Sequence, residues 1–279
     1  MLFGVLLVSA SSLADDGGLP QLDESVRVPT PRFAPATRSE YLASVFTLWN
    51  LLDGTIHKHR DRPRPIWPYG YMRRVQLEAY SRLVWQRPNV RTYCETGVNG
   101  GHGTAAMLAA SPTLVAHSFD EVAQPYSEDV FKLLTTYFRD RWVPHRGNSH
   151  VELPRQASGA LKGSCDVVLV DGDHSADGAY RDIVDFRRLA SCGATVLLDD
   201  VGGTGAKLNN GPSIALTRAR DQGLLEIVEW HIYNKTSAEN PCLREKHGGK
   251  PMCVGSWGFA IARYKQGGRC DSVRQANAD

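Results

Sequence analysis

The chain has 279 residues, 42% of them apolar and 22% charged, with a net charge of +2. That is enough for one large α/β domain with appendages, and it lacks the basic stripe that an obligate nucleic-acid partner requires. No segment reaches the roughly 20 consecutive apolar residues of a membrane-spanning helix, and six cysteines are too few and too dispersed for a small disulfide scaffold.

In chain order, Leu2 to Ala10 is a short apolar run and Ser12-Leu13-Ala14 reads as a small-residue cleavage site, so residues 1–14 are expected to be a secretory signal. Residues 15–38, with Pro20, Pro29, Pro31 and Pro35, form an extended or disordered lead-in. Leu42, Val45, Phe46, Trp49 and Leu52 then recur at helical spacing behind Ser39 as N-cap, and a second helix over 71–85 carries Val75, Ala79 and Leu83 on one face. Residues 39–88 thus make a helical extension.

From 89 to 266 the pattern alternates. Strands are predicted at 91–95, 114–120, 142–146, 165–171, 194–199, 224–233 and 256–264, with helices at 104–110, 127–138, 176–189 and 213–222. The fold class is α/β: a Rossmann-like, seven-stranded, mostly parallel sheet with helices on both faces and an antiparallel last strand, because no helix joins the last two strands. Residues 267–279 read as a flexible tail.

Cys94, Cys165 and Cys192 lie at or beside apolar strands and read as buried small hydrophobes. Cys242 and Cys253 flank a Gly- and Lys-rich loop that a disulfide would staple, and Asn234-Lys235-Thr236 is a glycosylation sequon. Together with the apolar start these features point to the secretory pathway or the extracellular space, the cytoplasm being the alternative.

Two apolar strands run into carboxylates, one into Asp171-Gly172-Asp173-His174 and the other into Asp199-Asp200. Ligands of open α/β sheets bind outside the carboxyl ends of the strands, so these acids mark a site. Upstream, Glu95-Thr-Gly97-Val-Asn99-Gly100-Gly101-His-Gly103 turns the first strand into its helix, where glycines permit both a tight turn and close approach of a ligand. The spacing departs from G-x-G-x-x-G, which disfavours an NAD-dependent oxidoreductase.

Glu95-x-Gly97-x-x-x-Gly101 resembles motif I of the class I S-adenosylmethionine-dependent methyltransferases. More narrowly, Cys94 to Gly103, Val170 to Ser175 and Leu197 to Val201 resemble methyltransferase family 24, similar to cephalosporin-hydroxylase-like proteins and to sugar O-methyltransferases. The resemblance implies S-adenosylmethionine as cofactor, held by Glu95, Gly97, Asn99, Gly101 and Asp171, with Asp120 on the ribose and Asn148 and Ser149 at the adenine. It also implies a divalent cation on Asp171, Asp199 and Asp200, with Asp173 or His174 as the base. Carboxylates without Cys or paired His suit a hard ion such as Mg²⁺, which would acidify and orient an acceptor hydroxyl. Asp173 is placed ahead of His174, since a lone His after a strand is more often a satisfied polar residue.

Three positions depart from the family pattern: Asn148 stands for an acid, Gly103 for Ser and Ala176 for an aromatic. Trp67, Tyr69 and Tyr71 read as packing, and residues 202–211 as a mobile lid. The expected activity is methyl transfer to a hydroxylated small molecule or sugar. A non-catalytic Rossmann-like binding module is the alternative.

Overall fold

The computed structural model describes residues 37–59, 72–202, 210–234 and 256–265. The signal, the lead-in up to residue 36 and the tail, Trp67, Tyr69 and Tyr71, most of the lid, the rest of the sequon beyond Asn234 and the Cys242–Cys253 pairing lie outside them, whereas Thr37 and Arg38 of the expected lead-in already begin α1.

The strands are β1 (Thr92–Thr96), β2 (Val115–Asp120), β3 (Trp142–Arg146), β4 (Cys165–Val170), β5 (Ala190–Leu198), β6 (Leu225–Asn234) and β7 (Ser256–Tyr264). The helices are α1 (Arg38–His57), α2 (Arg74–Trp85), α3 (His102–Ala110), α4 (Ser127–Phe138), α5 (Ser149–Gln156), α6 (Ala176–Phe186) and α7 (Gly211–Asp221). One seven-stranded sheet runs β3-β2-β1-β4-β5-β7-β6, in which β1 to β5 pair parallel and β7 pairs antiparallel with both neighbours. The Rossmann-like class and the antiparallel last strand are as expected. β7 is slotted between β5 and β6, which leaves β6 at the edge.

Successive strand residues point to opposite faces and so build two cores. Tyr93, Val167 and Leu197 pack under α1 to α4, whereas Cys94, Val168 and Val196 pack under α6 and α7. α1 belongs to the first core: the Tyr41 hydroxyl donates to the Ala106 carbonyl (3.2 Å) and the Trp49 indole to the His102 carbonyl (3.0 Å). Its N-cap is Thr37 rather than Ser39, because Thr37 and Glu40 exchange side-chain and backbone hydrogen bonds in a capping box that Ser39 cannot make.

Two sequence expectations are corrected. Helix α5 was not anticipated, because Pro154 sits inside it. Proline leaves the carbonyl four residues back without its donor, and here Arg181 bonds that carbonyl, His150 O, at 3.2 Å. Secondly, Cys94 and Cys165 are not isolated hydrophobes but form a disulfide that ties β1 to β4, with Cα atoms 5.8 Å apart. Cys192 is disulfide-bonded as well. Among the described residues no helix is long and apolar enough to cross a membrane.

Candidate active site

A cavity of about 680 Å³ opens at the carboxyl ends of the strands, lined by the β1–α3 loop, the ends of β2, β4 and β5, the start of α5 and, from the flanks, Met72, Arg73 and Trp257.

At one end stands the glycine loop. Gly97 has φ +83°, and a Cβ there would lie 2.1 Å from the Asp171 carbonyl oxygen, so β4 itself demands the glycine. Gly101, also at positive φ, behaves differently: a Cβ would press on Val130, Leu134 and Leu52 at 3.0–3.3 Å, towards the helices and away from the cavity. It caps the start of α3 and is not among the residues lining the cavity.

Asp120 fastens this loop. Its Oδ2 accepts from the Val98 and Asn99 amides (2.8 and 3.1 Å) and its Oδ1 from the Val122 amide (2.6 Å). Asn99 and Val122 both have positive φ, a cost of roughly 1–3 kcal/mol for a non-glycine residue, tolerated where a site over-determines the backbone. Glu95 is buried and accepts from Tyr93 Oη (2.8 Å), Ser118 Oγ (2.6 Å) and Thr104 Oγ1. Burial pushes its carboxyl up to about 7, against the pull of those three donors.

Asn148 and Ser149 line the cavity, but their side chains are committed elsewhere. Asn148 caps α5 by accepting from the His150 amide (2.9 Å) and donates to Glu121 (2.6 Å), and Ser149 donates to the buried Asp182 (2.8 Å).

Acids gather at the other end. His174 stands between Asp171 (Nε2 to Oδ1, 3.5 Å) and Asp200 (Nδ1 to Oδ2, 3.3 Å). One ligand atom from each of these three lies within 4.8 Å of the others. Asp199 is turned aside: its Oδ2 accepts from Gln76 (2.7 Å) and its Oδ1 from the Asp200 amide (2.7 Å). Of the three acids assigned to a cation, Asp171 and Asp200 therefore converge, with His174 between them, while Asp199 is bonded to Gln76. Burial drives the Asp171 carboxyl up to about 6 despite its bond to His174, with Asp200 adding to the rise, while His174 is drawn up to about 9, chiefly by Asp171.

Asp173 also lines the cavity, yet its Oδ1 accepts from the Ser175 amide (2.8 Å), which holds its carboxyl below the usual range. Its Oδ2 lies so near Gly178 that a Cβ there would sit 2.0 Å away. Asp173 thus serves the first turn of α6.

Sequence reasoning missed Arg73, Glu121, His150 and Trp257, which line the cavity, and Gln76, which bonds Asp199. Gln76 had a legible signal, being a polar residue on the same helical face as Leu77, Tyr80 and Val84, all of them buried.

The segment between Cys94 and Val201 matches the sequence model of a family described as a methyltransferase domain. The chain carries a methyltransferase domain. No curated protein matches the chain. Solved structures share its fold. The O-methyltransferase from Bacillus cereus in complex with SAH is 14% identical over 80% of this chain and 91% of that one, with a TM-score of 0.54. TomG of Streptomyces achromogenes, an O-methyltransferase involved in tomaymycin synthesis and solved with SAM, is 15% identical over 81% and 96%, also at 0.54. The cofactor-bound Rv0187 from MTB is 22% identical over 81% and 90%, at 0.51. The methyltransferase domain therefore has the class I fold, and its glycine loop occupies the switch point between β1 and β4, where such sheets bind nucleotides.

The residues fit the groups that fold implies. Glu95, a buried carboxylate on the cavity wall, suits the ammonium of an amino-acid moiety, and Asp120 holds carboxylate oxygens at the cavity for ribose hydroxyls. Asp171 and Asp200 offer oxygen donors, which suit a hard divalent ion, and His174 stands beside them.

Proposed function

We infer that the domain transfers a methyl group from S-adenosylmethionine to a hydroxyl oxygen of a small-molecule acceptor with the help of a divalent cation. The observation that carries this reading is the convergence of Asp171, His174 and Asp200 at one end of a cavity whose other end is the Asp120-fastened glycine loop. Once bound, the cofactor supplies an electrophilic methyl, and the cation supplies acidification and alignment of the acceptor hydroxyl.

The chain's own residues do the rest. Glu95 and Asp120 fix the cofactor's two polar ends. Asp171 and Asp200 would hold the cation. His174 takes the proton at its imidazole nitrogen: it reaches both acids, whereas Asp173 is engaged by α6. Without a cation His174 pairs with Asp171 and Asp200; a cation held by these two acids would supply that countercharge instead.

The test is transfer of labelled methyl to a panel of catechols and sugars, with Mg²⁺ and with excess chelator. Asp171→Asn and Asp200→Asn are expected to abolish turnover while SAH affinity stays within a few-fold. His174→Gln should lower kcat by about 100-fold or more. Full activity in chelator would remove the cation from the proposal.

A further inference from the structure

Helix α2 reaches the acids through one buried side chain. Gln76 lies in its first turn and is 1% exposed. Its Oε1 accepts from the Arg73 backbone amide (2.9 Å), which closes the start of the helix, and its Nε2 donates to Asp199 Oδ2 (2.7 Å). This orientation is forced, because a backbone amide only donates: the oxygen of Gln76 must face it, and the NH₂ group is left for Asp199.

The carboxylate passes the constraint on. Asp199 Oδ1 accepts from the Asp200 amide (2.7 Å), while the Asp200 carbonyl accepts from the Gly202 amide (2.9 Å) and from the Asn210 side chain. Asp200 is thereby held on both sides in its left-handed backbone, φ +54°, a conformation that a non-glycine residue keeps where its surroundings over-determine it. From there its Oδ2 lies 3.3 Å from His174 Nδ1, and His174 also faces Asp171. An amide 123 residues upstream thus fixes the plane of one acid, and that acid fixes the backbone of the next. Hydrogen bonds behind the carboxylates of a metal site set their aim and basicity, and losing one typically costs about 10–100-fold in metal affinity. We propose that Gln76 is a positioning residue for the cation, locking Asp199 and, through it, Asp200, so that the acids are already placed before the ion arrives. This rests on the cation reading of Asp171 and Asp200, and it gives the helical extension a part in the site besides packing against it.

Mn²⁺ is the probe, titrated into SAH-loaded protein and followed by the electron paramagnetic resonance signal of the free ion. Gln76→Met, which keeps the length of the side chain and loses both hydrogen bonds, is expected to weaken Mn²⁺ binding tenfold or more, with SAH affinity in chelator held within a few-fold. Gln76→Asn, an amide one methylene shorter, cannot span both partners and should fall in between. Val84→Ala, a buried change further along α2, separates positioning from stability: it should lower the unfolding midpoint and leave the Mn²⁺ affinity of the folded protein at the wild-type value. Where methyl transfer is detected, Gln76→Met should raise the Mg²⁺ concentration for half-maximal rate about tenfold and leave the rate at saturating Mg²⁺ within a few-fold, in proportion to the loss of affinity. Wild-type Mn²⁺ affinity in Gln76→Met, or an equal fall in Val84→Ala, overturns this inference alone. A wild-type protein that binds no Mn²⁺ overturns it together with the cation part of the proposed function.

Discussion

At Gly97 a single hydrogen atom separates a working loop from a collision. The residue combines φ +83° with a neighbour, the Asp171 carbonyl oxygen, only 2.1 Å from where a Cβ would stand. Gly97→Ala should therefore destabilise the fold by about 2 kcal/mol or more and weaken SAH binding as well, because relief of the clash must move either the loop or the end of β4. An unchanged unfolding midpoint together with wild-type SAH affinity would contradict that reading. Glu95 makes a different demand. Its folded carboxyl titrates near 7 because it is buried, against an ordinary 4.5. Between those values the folded state holds a proton that the unfolded chain has released, so this group makes the cofactor-free protein less stable as pH rises from 4.5 to 7. Glu95→Gln should flatten that slope. It should also cut SAH affinity, since the ammonium loses its partner. A chemical-denaturation series over this pH range, with parallel calorimetry, reads both; a mutant slope equal to that of the wild type would rule the effect out.

Among the elements, the pair β1–β4 carries the cofactor loop on one strand and Asp171 on the other, and Cys94–Cys165 locks them together across 71 residues of sequence. A cross-link closing a loop of that length removes about 4 kcal/mol of unfolded-state entropy at 25 °C. Cys94→Ala with Cys165→Ala should lose stability of that order, and reductant should lower the wild type at least as far, since it also opens the Cys192 bond; denaturation curves that coincide in oxidising buffer would refute it. This bond also marks where sequence reading stopped. Alternation of strands and helices and the acid-ended strands were legible, because side-chain period and strand-end chemistry are local properties. The pairing of two cysteines 71 residues apart is set by which strands become neighbours, and that belongs to topology. The same holds for Gln76, which meets Asp199 across 123 residues. It holds too for Asp199 itself, because a run of Asp199-Asp200 in sequence does not tell which of the two carboxylates α2 will claim. Helix α5 failed for a local reason: Pro154 masks a helix whose lost bond Arg181 supplies from α6.

For the molecule as a whole, the acidic end of the cavity is a place where function opposes stability. Burial raises the Asp171 carboxyl to about 6 with the Asp200 charge adding to the rise, and Asp200 keeps a left-handed backbone at φ +54°. The Asp200 share of the first cost and part of the second would be relieved by asparagine, which carries no charge and tolerates the left-handed region. The ion pair that Asp200 gives up with His174 offsets little, because the His174 side chain is 55% exposed and Asp200 is 40% exposed. Asp200→Asn is thus expected to raise the stability of the cation-free chain by about 1 kcal/mol, a shift of roughly 2–4 °C in Tm for a domain of this size. The same variant should lose the further rise in Tm that Mg²⁺ gives the SAH-bound wild type, since one of the two converging carboxylates is gone. Differential scanning of both proteins, in chelator and in Mg²⁺ with SAH, measures the two effects separately. A fall in the chelator midpoint would mean that Asp200 is a structural residue whose charge the fold needs. A rise in chelator with the Mg²⁺ increment intact would place the cation elsewhere.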